Sequence, residues 1–224
     1  PLNGMRETAN AYESSMTDIA QKANLTREAA RAYGVDMLKA AKAANQMPEA
    51  MQQGVDVLMG FGASLPDAGE MIRPIGRAAT AYKAEMSDLS AATFAVKDNL
   101  KVAATDTGRV IDVMAQAGKS GAFEMKDMAQ YFPQLTAGYQ ALGQQGVGAV
   151  ADLAAALQIT RKGTGDSASA ATNLSNILQK MASPDTIKNF AKFGVDLPAA
   201  LKKAYAEGKT PIEAISDLTN KTLK

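Results

Sequence analysis

The sequence predicts an all-α fold of packed helical hairpins with negligible sheet, and three observations lead to this prediction. Apolar residues recur at helical spacing along most of the chain, and convincing alternating strand patterns are absent. Hydrophobic residues make up 46% of the 224 residues but aromatic residues only 5%. Small and flexible helix formers such as Ala, Leu and Met must therefore fill the core. Glycine and proline also separate the apolar segments at helical lengths.

Each predicted helix has a start or a stop signal of its own. Thr26 caps a helix that runs to about Ala44, and Pro48 opens one that ends at Gly60. Pro66 starts the next helix, in which Pro74 predicts a kink or a break, as Pro133 does further on. The remaining helices are expected from Ser87, Thr107, Met125 and about Val150, and then over 163–184, 187–193, 199–207 and 211–218.

Two segments of the chain resemble each other in sequence, and we call this candidate internal repeat the echo. Residues 55–64 (VDVLMGFGAS) resemble residues 111–120 (IDVMAQAGKS) at an offset of 56. Met71 and Tyr82 recur as Met128 and Tyr139 at an offset of 57. One interpretation is a duplicated helix–turn–helix unit, whose copies bury a continuous seam when they stack. The other is chance resemblance between alanine-rich amphipathic helices.

The pattern divides the chain into three regions. We expect N-terminal helices over residues 1–47, a helical hairpin repeat region over 48–160 and a C-terminal helical region over 161–224. Because the sequence begins with Pro1 and enters a helical pattern at once, we also expect it to be a piece of a longer protein.

Composition argues against several classes of function. The net charge is +1, from 24 basic and 23 acidic residues that are interspersed, so no basic nucleic-acid patch is apparent. The chain has no cysteine and no histidine, which removes disulfides, thiolate metal sites and the commonest general base. It has no apolar run long enough for a transmembrane segment. We therefore predict no catalytic, metal or cofactor site.

Two patterns allow a sharper chemical interpretation. Glu124 and Asp127, like Glu85 and Asp88, lie three residues apart, so each pair could line one helical face. An acid pair for glycoside hydrolysis would also need a cleft in which the pKa of one carboxyl is raised. We interpret both pairs as solvated first turns of helices. The loop 161–167 (RKGTGDS) offers amides and two cations to a phosphate, but it lacks the ending of a P-loop. A helix cap at its acidic and serine residues is the better interpretation.

The segment 163–184 (GTGDSASAATNLSNILQKMASP) is the most informative part of the chain. A small polar loop opens a helix that ends at a Ser-Pro step. Leu174, Ile177, Leu178 and Met181 have the spacing of one helical face, and we expect all four to be buried.

This segment resembles a motif of the core region of phage tail tape measure proteins. In that motif a glycine-rich loop leads into an Ala-Gly-Thr-x-Leu helix, a Ser-Pro step and a Gly-Ile/Val-Asp turn, which is residues 193–197 (FGVDL) here. Ala171 stands where the family has glycine. The matching residues, which we call the landmark residues, are Ala170, Ala171, Thr172, Leu174, Asn176, Leu178, Ser183 and Pro184.

The resemblance implies a structural protein rather than an enzyme. Tape measure proteins set tail length, scaffold assembly of the tail tube, fill its lumen and take part in genome delivery. Implied partners are the tail tube protein, tail assembly chaperones, baseplate or tip proteins and further copies of the chain. The implied locations are the virion tail lumen and, during assembly, the host cytoplasm. The alternatives are a helical adaptor or secreted binding domain and a domain associated with a cell-wall hydrolase.

Overall fold

The computed structural model describes residues 2–119 and 121–222, and in the first helix the side chains of residue 10, residues 12–14 and residue 16 onward. Ser120, which ends the second echo, lies outside the described residues. Within that part, twelve α-helices and one 3₁₀ turn follow one another without a strand, so the predicted all-α fold is confirmed. The helices are α1 (Leu2–Lys22), α2 (Arg27–Ala44), α3 (Pro48–Gly60), α4 (Leu65–Tyr82), α5 (Met86–Asn99), α6 (Thr107–Lys119), α7 (Met125–Ala141), α8 (Gly146–Lys162), α9 (Ser167–Met181), α10 (Pro184–Lys192), α11 (Leu197–Ala206) and α12 (Pro211–Thr222).

Capping residues fix where the helices begin and end. The Thr26 side chain accepts a hydrogen bond from the amide of Ala29 at 3.2 Å, and Pro48 occupies the first turn of α3. Asn45 ends α2 in the left-handed conformation, with φ of 51°. Gly62, with φ of 105°, makes the turn after α3, where a side chain would be strained. These local signals explain why the starts and ends of these helices can be predicted from the sequence.

Of the kink or break expected at each of the two internal prolines, the break is wrong. Pro74 lies inside α4 and Pro133 inside α7, and both helices continue through them. A proline removes one intrahelical hydrogen bond and crowds the preceding turn. Here the turns on either side are held by burial, with Met71 and Ile75 completely buried around Pro74. Tertiary packing therefore outweighs the local penalty.

Helices α1–α9 stack in two rows, and α10–α12 follow at the C-terminal end. In one row α1 packs on α3, α3 on α5, α5 on α7 and α7 on α9; in the other α2 packs on α4, α4 on α6 and α6 on α8. Successive helices belong to alternate rows, so each antiparallel hairpin contributes one helix to each row. The expected architecture of packed hairpins has the arrangement of a short solenoid.

Burial repeats along this stack in the register of the echo. Counterparts of the buried α3 residues Gly54, Val55 and Leu58 lie at an offset of 56 in α6, where Val110, Ile111 and Met114 are buried. Ala68, Met71, Ile72, Ile75, Ala78 and Ala79 of α4 correspond at an offset of 57 to Met125, Met128, Ala129, Phe132, Leu135 and Thr136 of α7, all buried. The packing of α3 on α5 likewise returns as that of α6 on α8. These agreements favour a duplicated unit.

One continuous core runs from Ile19 to Ala214. Methionines fill much of it, because Met51, Met71 and Met128 are completely buried. The few aromatic residues that are completely buried, Tyr139, Phe123 and Phe132, lie in the loop before α7 and in α7 itself. The division into regions 1–47, 48–160 and 161–224 stays a prediction.

Candidate assembly surface

Helix α9 carries most of the landmark residues, and the predicted cap starts it. The Asp166 carboxylate accepts hydrogen bonds from the backbone amide and the hydroxyl of Ser169, each at 2.8 Å. These hydrogen bonds lower the pKa of Asp166 below its usual value. One free amide at the start of α9, that of Ser169, is therefore occupied by a side chain of the protein. Arg161, the nearby cation, donates to the Thr164 carbonyl at 2.8 Å.

The apolar stripe of α9 is buried on three of its four predicted positions. Leu174, Leu178 and Met181 are at most 3% exposed, whereas Ile177 is 40% exposed, so its predicted burial is wrong. Ile177 lies on the flank of the stripe. There, with Met181 and Phe190, it lines a shallow groove of about 310 Å³ between α9, α10 and α12.

The landmark residues separate into two sets by exposure. Ala170, Ala171, Leu174 and Leu178 are buried, and Leu178 packs against Gly138 of α7. A Cβ at Gly138 would lie 3.1 Å from Leu178 Cδ1, so the missing side chain is what lets α7 and α9 approach. Thr172 and Asn176 instead lie on the exposed side of α9. The apolar landmark residues thus build the core and leave the polar ones for contacts outside it.

Caps also explain the landmark residues after α9. Ser183 accepts a hydrogen bond from the amide of Thr186 at 3.3 Å, and Pro184 begins α10. Gly194 turns the chain with φ of 76°. Asp196 then caps α11 by accepting from the amide of Ala199 at 3.2 Å. The motif therefore sets the boundaries of three successive helices, α9, α10 and α11.

The exposed side of α7 and α9 carries no charge between its two ends, where Lys126 and Lys180 are exposed. The sequence has no acidic or basic residue between Asp127 and Asp152. Uncharged exposed residues of this side include Gln134, Ala137 and Gln140 of α7 and Thr172, Asn173, Asn176 and Gln179 of α9. We call these seven residues the neutral face. Protein interfaces are depleted of charge at their centres, so this composition suits a contact between proteins.

The acidic pairs lie in first turns, as predicted. Glu124 and Glu85 occupy the positions that cap α7 and α5, and Asp127 and Asp88 follow one turn later. Asp127 accepts a hydrogen bond from the Ser167 hydroxyl at 2.7 Å, which ties the start of α7 to the start of α9. Among the described residues no three acidic side chains come together in a way that would hold a metal ion.

A partly buried polar cluster that sequence reasoning missed joins α7 and α8 to the C-terminal helices. The hydroxyls of Tyr139 and Tyr205 are buried without a hydrogen-bond partner, and burial raises the pKa of Tyr205 to about 12. Asp152 of α8 interacts electrostatically with Tyr139 and with Glu213 of α12. Burial and, to a lesser extent, the charge of Glu213 raise the pKa of Asp152. No motif in the sequence links these four distant positions.

Comparison with known proteins identifies the family. The profile of the "Phage-related minor tail protein" family matches residues 62–224. The chain belongs to this family. It is also 32% identical over 222 residues to a "Probable tape measure protein" of Burkholderia phage BcepMu. That alignment covers 99% of this chain and 26% of the relative, so the chain spans about a quarter of the length of that protein. No solved structure matches the chain.

The family match agrees with the predicted resemblance and adds a boundary. It begins at Gly62, in the turn that follows α3, so it includes α4–α12 and all the landmark residues. The similarity to the tape measure relative extends over the N-terminal helices as well. Across the described residues of this minor tail family member, none of the helices has the length and hydropathy needed to cross a bilayer.

The Asp152→Asn variant should be more stable than the wild type at neutral pH. Because the folded-state pKa of Asp152 is raised, the folded state holds its proton more tightly than the unfolded chain does. The contribution of Asp152 to stability is therefore greatest below the unfolded pKa, near 4, and is lost as pH rises through the folded pKa. Urea unfolding at pH 7 and at pH 4 should show a small gain for the variant at pH 7 alone.

The matched control is Asp98→Asn, which makes the same charge change at an exposed position of α5. The difference in unfolding free energy between this variant and the wild type should be the same at pH 7 and at pH 4. A loss of stability in Asp152→Asn at pH 7 would contradict the predicted sign.

Proposed function

We propose that the chain is a segment of a phage tail tape measure protein that contributes to setting tail length. The observation that carries this proposal is the similarity of almost the whole chain to a probable tape measure protein. Membership of the minor tail family supports it independently over residues 62–224. The proposed role of the segment is structural and not catalytic.

The proposal includes partners and a location. The tail tube protein, tail assembly chaperones, baseplate or tip proteins and other copies of the chain are the proposed contacts. The location is the lumen of the virion tail, reached from the host cytoplasm during assembly and left when the genome is delivered. We assign the contacts to the neutral face of α7 and α9, in which the landmark residues Thr172 and Asn176 are exposed.

The repeated stack supports a role in length because one unit can be removed in register. Deleting residues 55–110 joins Gly54 of α3 to Ile111 of α6, and Ile111 has the same buried position as Val55. The hybrid helix keeps its apolar face and leads directly towards α7. The deletion therefore tests the effect of the segment on tail length while buried positions stay joined to buried positions at the junction.

The experiment is this deletion, made in the gene of the full-length protein in its phage. If the segment is an extended helix in the tail, tails should shorten by about 84 Å, at about 1.5 Å per residue. If the folded stack persists, a unit contributes only one or two helix spacings of about 10 Å each. Electron micrographs of purified virions measure the difference.

A matched control duplicates residues 55–110 and should lengthen tails by the same amount. Opposite changes in the two phages would support the ruler. Tails of unchanged length in both phages would contradict it, and failed injection by such tails would instead indicate a folded plug or release module. If the deletion yields no tails, the duplication alone still tests the ruler.

A further inference from the structure

Helix α3 buries polar atoms that have no hydrogen-bond partner. Gln52 is 1% exposed, and neither its Nε2 nor its Oε1 is paired. Oε2 of Glu49, one turn earlier, is also buried without a partner. Across the seam to α5, the completely buried Ser90 has an unpaired hydroxyl, which lies 3.1 Å from the point where Gly54 would carry a Cβ. Each of these atoms loses its hydrogen bonds to water when α3 docks and gains no hydrogen bond in the protein, so each opposes docking.

The local sequence of α3 adds little to its stability. The capping position is Met47, whose side chain makes no capping hydrogen bond, and the last turn has no basic residue. Gly54 lies in the middle of the helix, where glycine is unfavourable. The glycine is nevertheless required, because a Cβ there would overlap Cδ1 of Ile72. Apart from Pro48 and Glu49 in its first turn, α3 therefore depends on tertiary packing to stay in place.

The corresponding helix of the second unit differs. In α6, which is described in full, every buried side-chain nitrogen or oxygen atom has a hydrogen-bond partner. The buried glutamine of that unit is also paired: Gln158 Nε2 donates to the Phe123 carbonyl at 2.8 Å, and its Oε1 accepts from the Phe123 amide at 3.2 Å. The difference is between α3 and α6 themselves, because the second unit has its unpaired buried atoms elsewhere, at the Tyr139 hydroxyl of α7 and Nε of Arg161 of α8.

The position of α3 makes it the joint between two parts of the stack. It contacts α1 and α2 on one side and α4 and α5 on the other. Separation of α1–α3 also breaks the packing of α2 on α4, where the Thr80 hydroxyl donates to the Ala44 carbonyl at 2.6 Å. The contacts of α5 with α7, of α6 with α8 and of α7 with α9 remain. The family match begins at Gly62, immediately after this helix, which is consistent with a boundary there.

We propose that the stack opens at α3, so that α1–α3 separate as a unit while α4–α12 stay folded. The opening is a property of the folded chain and goes beyond the proposed ruler function. It gives the protein a partly open state without complete unfolding, as sub-global openings do in other proteins.

Native-state hydrogen exchange of the purified chain, followed by mass spectrometry, tests the proposal. The internal comparison is between amides of α3 and the equivalent amides of α6. We expect the α3 amides to exchange at least about tenfold faster, and α1 and α2 to exchange together with them. Equal exchange in the two helices would overturn the proposal.

Two glutamine variants then test the cause. Gln52→Leu should slow exchange in α3 about tenfold and leave α6 unchanged, because leucine fills the same space without unpaired atoms. The same substitution at Gln158 should accelerate exchange around α6–α8, because it leaves two Phe123 backbone groups unpaired. Ser90→Ala, the smallest change at the same seam, should act in the same direction as Gln52→Leu. Faster α3 exchange in both Gln52→Leu and Ser90→Ala would overturn the proposal.

Discussion

Leu178→Ala should lower the free energy of unfolding by roughly 2–5 kcal/mol. Leu178 is 2% exposed and fills the contact between α9 and α7 beside Gly138. Truncation removes apolar contacts and leaves a cavity, because Gly138 has no side chain that could move into it. Chemical denaturation followed by far-UV circular dichroism measures the change.

Ile177→Ala is the matched control, since it removes a similar volume from the adjacent residue. Ile177 is 40% exposed, so its truncation should cost much less. Equal losses at the two positions would show that α9 docks through its flank as firmly as through its centre, contrary to the structure.

Gly121→Ala should destabilise the protein by roughly 2–4 kcal/mol. A Cβ at this position would overlap Oε1 of Gln158. Gln158 would have to move, and both of its hydrogen bonds to the completely buried Phe123 would be lost. Urea unfolding of the variant gives the magnitude.

Gly118→Ala provides the control in the same region. No atom lies closer than 3.6 Å to a Cβ there, so alanine should be neutral or slightly stabilising in α6. The combination of Gly121→Ala with Gln158→Leu should cost little more than either change alone, because both remove the same two hydrogen bonds. Strictly additive losses would show that the two residues act separately.

Local signals made most of the fold predictable. Thr26, Pro48 and Asp166 mark helix starts through bonds or ring constraints that involve only the next few residues. The buried stripe of α9 could also be predicted in large part, since periodicity identifies its central positions. These features depend on neighbours in sequence, which a sequence displays directly.

The errors have causes that lie in tertiary contacts. Pro74 and Pro133 were expected to break helices that packing holds together. Whether a flanking residue such as Ile177 is covered depends on α10 and α12, whose placement periodicity does not give. The hydrogen bonds between Gln158 and Phe123 likewise join residues 35 positions apart, and no sequence motif indicates that these residues meet.

The shared register of α3 and α6 has a genetic consequence. Unequal recombination between the two echoes within the gene would remove or add one unit and still join buried positions to buried positions. The products of such exchanges would keep a continuous apolar face at the crossover. Under the proposed role in tail length, selection would then act in steps of whole folded units.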